Sequence, residues 1–125
     1  MFRFQKLVGR PYEKGPARGF WQFERGGGVH GVMSHPATQD QAERICIERA
    51  VPFDSVLIHA RLETDDVLAA AFARLLLWAD RKALPALDAS HDEAWDCYQR
   101  NWRPGKPHRE TWDEFHAQAR GQVIA

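Results

Sequence analysis

From residue 37 onward, apolar side chains recur at intervals of three and four, the period of helices that bury one face. Pro36 and Thr38 open the first such stretch, which carries Ala42, Ile45 and Cys46 and reads as a helix over 37–50 that Val51-Pro52 stops. Asp54 can cap a shorter helix over 55–62, with Val56, Leu57 and Ala60 as its apolar positions. Thr64 followed by two acids starts the next, over 65–80. Val67, Leu68, Ala71, Phe72, Leu75, Leu76 and Ala79 cover so wide a face of it that it reads as the central helix of the core. Its mid-helix charge, Arg74, is expected to pair or to snorkel.

Ser90 and Glu93 form a capping box ahead of Ala94, Trp95, Tyr98 and Trp102, and Pro104-Gly105 closes that helix. Thr111 with Glu114 repeats the signal, and Trp112, Phe115 and Ala119 give a last helix one apolar face before Gly121. The pattern therefore predicts a mainly α domain of about five helices, since a helix as apolar as 65–80 must be surrounded by others.

Residues 15–32 break the period. Gly19 and the run Gly26-Gly27-Gly28 bracket Phe20, Trp21, Gln22, Phe23 and Glu24, which reads as one short β-like segment near 20–32 ending in a tight turn. Glycines let a backbone come close to a bound chain-like molecule, and the rings between them can stack on it. The same residue types also describe a core hairpin with buried aromatics, and both readings stand at this point. A phosphate loop does not fit, because the glycines have neither the dinucleotide nor the Walker spacing.

At 125 residues and 44% hydrophobic, the chain suits one domain spanning 1–125 with an irregular lead-in over 1–14. Seventeen basic and seventeen acidic side chains cancel, which disfavours nucleic-acid binding by bulk charge. Cys46 and Cys97 stand far apart in half-apolar contexts and read as buried free thiols, with a disulfide open to an exported protein. The six histidines show no metal-ligand spacing, so neither metal nor cofactor is expected. Met1 to Lys6 holds no apolar signal core, and the longest apolar run is interrupted by Arg74, so membrane insertion is not expected.

Ala17-Arg18-Gly19-Phe20-Trp21-Gln22-Phe23 resembles the Gly-Leu-Trp/Met-Gln-Phe/Ile segment of lysozyme-like lytic transglycosylases, enzymes that cleave the glycan strands of peptidoglycan. The longer string from Gly15 to Val29 is similar to that of small lysozyme-like proteins encoded by phages and prophages. A second segment, Tyr98-Gln99-Arg100-Asn101-Trp102-Arg103-Pro104-Gly105, resembles the family's Ala-Tyr-Asn-Ala-Gly, with Arg100 where the family has its tyrosine and Tyr98 half a turn away.

The resemblance implies an α+β lysozyme-like fold and a cofactor-free attack on the β-1,4 bond between N-acetylmuramic acid and N-acetylglucosamine. It implies a cleft in which Trp21, Gln22, Tyr98, Asn101 and Trp102 hold sugar rings and N-acetyl groups. In the family, the catalytic glutamate ends a helix just ahead of the first segment, whereas residues 1–12 contain no acid. The expectation is a natural start further upstream, with weak or absent activity in the chain as it stands.

Glu24 is the one carboxylate inside a matched segment and is the candidate acid. Peptidoglycan strands are the expected partner, and a missing helix would leave an apolar groove that invites homodimerisation. The expected location is the bacterial cytoplasm before lysis, or the virion. Two other classes stand beside this reading. A phage virion or interaction protein would keep the fold without catalysis. A small nucleic-acid-binding protein would use Arg100, Arg103, Lys106, His108 and Arg109 next to Trp102 and Trp112.

Overall fold

A computed structural model describes residues 17–19, 21–103 and 108–124. The irregular lead-in over 1–14, Phe20 and the segment 104–107 with Lys106 lie outside the described residues. The described chain is mainly helical, without a sheet, and divides into two compact units, 1–79 and 80–125.

In the first unit the turn residues 17–19 and 21–23 are followed by a π-helical turn, Arg25–Val29, that runs directly into α1, His30–Ser34. Then come α2 (Gln39–Glu48), α3 (Ser55–Arg61) and α4 (Asp66–Trp78). The β-like expectation for 20–32 reduces to a single antiparallel bridge between Arg18 and Phe23, and 25–34 is helical instead. The reason is packing. Gly28 lies under the Phe23 ring, where a Cβ would stand 2.4 Å from Cδ1, so its small size matters here more than its freedom to turn.

The core of this unit is a cluster from every element, including Phe23, Val29, Val32, Ile58, Leu68 and Phe72, all at most 1% exposed. Phe23 and Phe72 meet edge to face, with ring centroids 6.4 Å apart. Thr38 precedes α2 but does not cap it. Its buried hydroxyl donates instead to the Val32 carbonyl at 2.7 Å, satisfying an orphan acceptor of α1.

α2 stops before Pro52 through its own C-terminal geometry. Ala50 takes a left-handed φ of 55°, its N–H donates to the Ile47 carbonyl, and the Val51 N–H reaches back to the Cys46 carbonyl. Val51 is buried, completing a Schellman motif with alanine where glycine is usual.

Asp54 caps α3 as its position suggests, accepting from the Val56 and Leu57 N–H groups. The buried face is the reverse of the expected one, however: Ile58 and Leu62 are inside while Val56, Leu57 and Ala60 are exposed. At α4 the cap is Asp65 and not Thr64, accepting from the Leu68 N–H. α4 buries Leu68, Ala69, Phe72, Ala73 and Leu75, but Val67 is 56% and Trp78 59% exposed, so one side of this helix faces solvent. Arg74 lies over the Trp78 ring, 5.9 Å from its centroid.

The second unit holds α5 (His91–Trp102) and α6 (Arg109–Ile124). Ser90 caps α5, accepting from the Glu93 N–H at 3.1 Å. α6 begins two residues before the expected Thr111 cap and runs through Gly121; the Thr111 hydroxyl donates to the His108 carbonyl instead. Trp95 and Cys97 are buried on α5, and Trp112 of α6 packs against Trp95 and Tyr98, with both centroids at 5.2 Å.

Candidate functional site

The turn over 17–23 is closed on itself. Arg18 and Phe23 exchange backbone hydrogen bonds at 2.8 and 3.0 Å, and the Gln22 N–H donates to the Gly19 carbonyl at 3.1 Å. The path needs positive φ at two positions, 75° at Gly19 and 55° at Gln22. At Gly19 this is free of strain, and at Gln22 the side chain compensates: its Nε2 donates to the Gly19 carbonyl at 2.9 Å.

Two side chains of the α3 region clip this turn in place. The Glu63 carboxylate accepts from the Gly19 N–H at 2.9 Å, and His59 Nε2 lies 3.1 Å from the Phe23 carbonyl, which it reaches as an Nε2–H donor. A Cβ on Gly19 would stand 2.2 Å from the Leu62 carbonyl oxygen, so the turn rests directly on the end of α3. With Phe23 buried below, Trp21 and Gln22 are held half-buried on the outer side. Glu24 follows with an exposed side chain, and its carbonyl accepts from the Gly27 and Val29 N–H groups at the start of the π-helical turn.

A glycan-cleaving acid is normally set against apolar or aromatic surface. Glu24 is in the open, and the carboxylate that touches the matched turn is Glu63, a residue that sequence reasoning missed. Nothing local marks it, because its partner lies forty-four positions away.

The second group of candidates is built into the packing of its unit. Tyr98 lies between Trp102 and Trp112, stacked on both within 22° of parallel. Burial pushes its hydroxyl above the usual tyrosine range. Asn101 Nδ2 donates to Asp80 Oδ2 at 3.0 Å and to the Cys97 carbonyl at 2.9 Å. Asp80 also takes the Arg100 guanidinium through both Nε and Nη2. Arg100 first, then Asn101 and the Lys82 N–H, hold the Asp80 carboxyl well below its ordinary range in spite of burial. Trp21, Gln22 and Glu24 thus share one turn of the first unit, while Tyr98, Asn101 and Trp102 share one face of α5 in the second.

Three members of the basic cluster are paired with carboxylates, while Arg103 is exposed and Lys106 lies outside the described residues. Arg100 is bound to Asp80, Arg109 is bound to Asp92 and Asp113 while lying over the Trp95 ring, and His108 faces Glu110. Cations already paired with carboxylates are poor counterions for phosphate.

Cys46 is fully buried, and burial, with Glu43 nearby, pushes its thiol up to about 11. Cys97 is buried as well, and both cysteines are free. Among the described residues no group of three or more His, Cys, Asp or Glu side chains is placed to hold a metal ion. No helix there is long and apolar enough to cross a membrane.

Compared with protein-family models, curated proteins and solved structures, the chain matches none of them. Any functional reading therefore rests on the turn and its surroundings.

Proposed function

We propose that this chain is a peptidoglycan-directed protein of the lysozyme-like kind, which binds glycan strands through the Trp21–Gln22 turn and has weak cleavage activity or none. The observation that carries the reading is the clip between the turn and α3: Gly19 on Glu63 and Phe23 on His59 fix the backbone on both sides of Trp21 and Gln22, whose side chains are half-buried. A preorganised ring face can stack on a sugar without losing further side-chain freedom. Gln22 spends its Nε2 on the Gly19 carbonyl, which leaves Oε1 to accept from the N–H of an N-acetyl group. The exposed side chain of Glu24 supports binding over cleavage, and the pairing of Arg100 with Asp80 and of Arg109 with Asp92 leaves these two cations less suited to phosphate contacts.

Co-sedimentation with purified peptidoglycan, with soluble muropeptides assayed in the same samples, tests the reading. Retention is expected for the parent chain, with a loss of about tenfold or more for Trp21→Ala, the usual effect of removing an aromatic anchor. Little muropeptide release is expected, and Glu24→Gln should not change it. Failure of the parent chain to sediment with peptidoglycan would remove the proposal. Release abolished by Glu24→Gln would replace binding with catalysis.

A further inference from the structure

His91, at the start of α5, and His116, in the middle of α6, face each other through their Nδ1 atoms at 2.7 Å, with rings 81° apart. Two imidazole nitrogens at hydrogen-bond distance require that one carry a hydrogen and the other a lone pair. Two protonation states of the pair satisfy this. When both rings are neutral, one Nδ1–H donates to the bare Nδ1 of the other. A first proton added at the donor ring's Nε2 makes it an imidazolium that still donates. A second proton can go only to the accepting Nδ1, and two N–H groups then point at each other across the same 2.7 Å.

We propose that the His91–His116 pair is a proton-operated latch between α5 and α6, closed with at most one extra proton on the pair and opened by the second. This inference is independent of the glycan reading.

The surroundings favour the closed, less protonated state. Burial first, then His91 and Arg120, lower the proton affinity of His116 below the ordinary histidine value, and Asp113 opposes them weakly. Asp113 and Asp92 are both engaged by Arg109, so the nearby carboxylates are already committed to another cation. Arg120 is fixed from α6 by its bond to the Ala89 carbonyl at 3.1 Å. The pair is also tied into the aromatic packing of the unit. Trp112 stacks on His116 at 15° and donates its indole N–H to the His91 carbonyl at 2.8 Å. Opening the latch therefore frees the strip by which α6 covers Trp95 and Tyr98.

A histidine whose folded-state proton affinity is lowered stabilises the fold above its unfolded value of 6.5, and that stabilisation is lost as pH falls below it. That loss begins at 6.5, above the ordinary carboxylate values, and runs down to the lowered folded-state value of His116.

Imidazole nitrogen NMR on the full chain, at about pH 7.5 and about pH 5 with chelator present, reads the latch directly. One of the two rings is expected to carry its hydrogen on Nδ1 and the other to leave Nδ1 bare at the higher pH, with both nitrogens protonated at the lower. Amide exchange of α6, corrected for its intrinsic pH dependence, is expected to show an opening equilibrium about fivefold larger at the lower pH, the value of one hydrogen bond. His116→Phe keeps a ring on Trp112 without a titrating group and should show no such change. Bare Nδ1 atoms on both rings at the higher pH would overturn the proposal. So would a pH response of α6 exchange that survives in His116→Phe.

Discussion

Replacing Gly19 with alanine tests how tightly the turn is seated on α3. The left-handed φ of 75° alone costs an alanine about 1 kcal/mol. The new Cβ would also stand 2.2 Å from the Leu62 carbonyl oxygen and 2.9 Å from its carbon. Those are backbone atoms of a fully buried residue whose N–H is bonded to Ile58, so they cannot give way without melting the last turn of α3. The turn has to lift instead, and lifting breaks the Gly19 N–H to Glu63 bond, worth about 1.5–3 kcal/mol for a charged acceptor. The sum is a loss of about 3 kcal/mol. With a urea slope of about 1.5 kcal/mol/M, the midpoint falls by about 2 M.

Gly31→Ala and Gly121→Ala serve as controls, because a Cβ at either site meets nothing within 4 Å and both positions are helical. These two should be neutral or stabilising by up to about 1 kcal/mol. A cost for Gly19→Ala below about 1 kcal/mol would mean that the turn is not seated on Leu62, and would remove the physical basis of a preorganised Trp21.

Ala50→Gly should stabilise by about 1 kcal/mol, since the Schellman position at the end of α2 holds its alanine at a φ of 55°; a destabilised variant in the same urea assay would contradict that geometry. Acid should unfold the chain by a different route from the histidine latch. Asp80, and Asp65 with burial opposed by the Arg49 and Leu68 N–H bonds, both hold their carboxyl groups below the ordinary value of 3.8. A depressed carboxylate stabilises the fold above its unfolded value and loses that contribution as pH falls below it. Asp80→Asn should therefore be less stable than the parent by about 2 kcal/mol near neutral pH, with the gap narrowing as pH drops below about 4. A gap independent of pH, read from urea midpoints across that range, would show that Asp80 is not held as an ion.

What could be read from the sequence was local. Ser90 and Asp54 cap helices because an oxygen two or three residues ahead of the first N–H groups acts without help from the rest of the chain. Gly19 was legible for the same reason, as a residue able to take a positive φ beside an aromatic segment. The misreadings share a different cause. The glycine run 26–28 reads as a turn by propensity but folds as helix, and only at Gly28 does the Phe23 ring leave no room for a Cβ. α3 has apolar residues on two faces, and the pair Ile58 and Leu62 takes the inside while the triplet Val56, Leu57 and Ala60 does not. A seven-residue helix gives too few periods for its spacing to choose between them.

The long-range contacts that fix the candidate residues lie wholly in that second class. Glu63 reaches Gly19 across forty-four positions and His116 reaches His91 across twenty-five, while Asp80 closes on Arg100 across twenty. In each case an ordinary surface residue type gains its role from a partner that only the fold supplies. The composition of the turn suggests a site, and the bonds that hold the turn come from the α3 region. Substitutions at Glu63 and His59, outside the matched segment, should therefore weaken glycan retention while leaving the rings of the turn intact, and equal retention in Glu63→Ala and His59→Ala would show that the Trp21 turn holds its shape unaided.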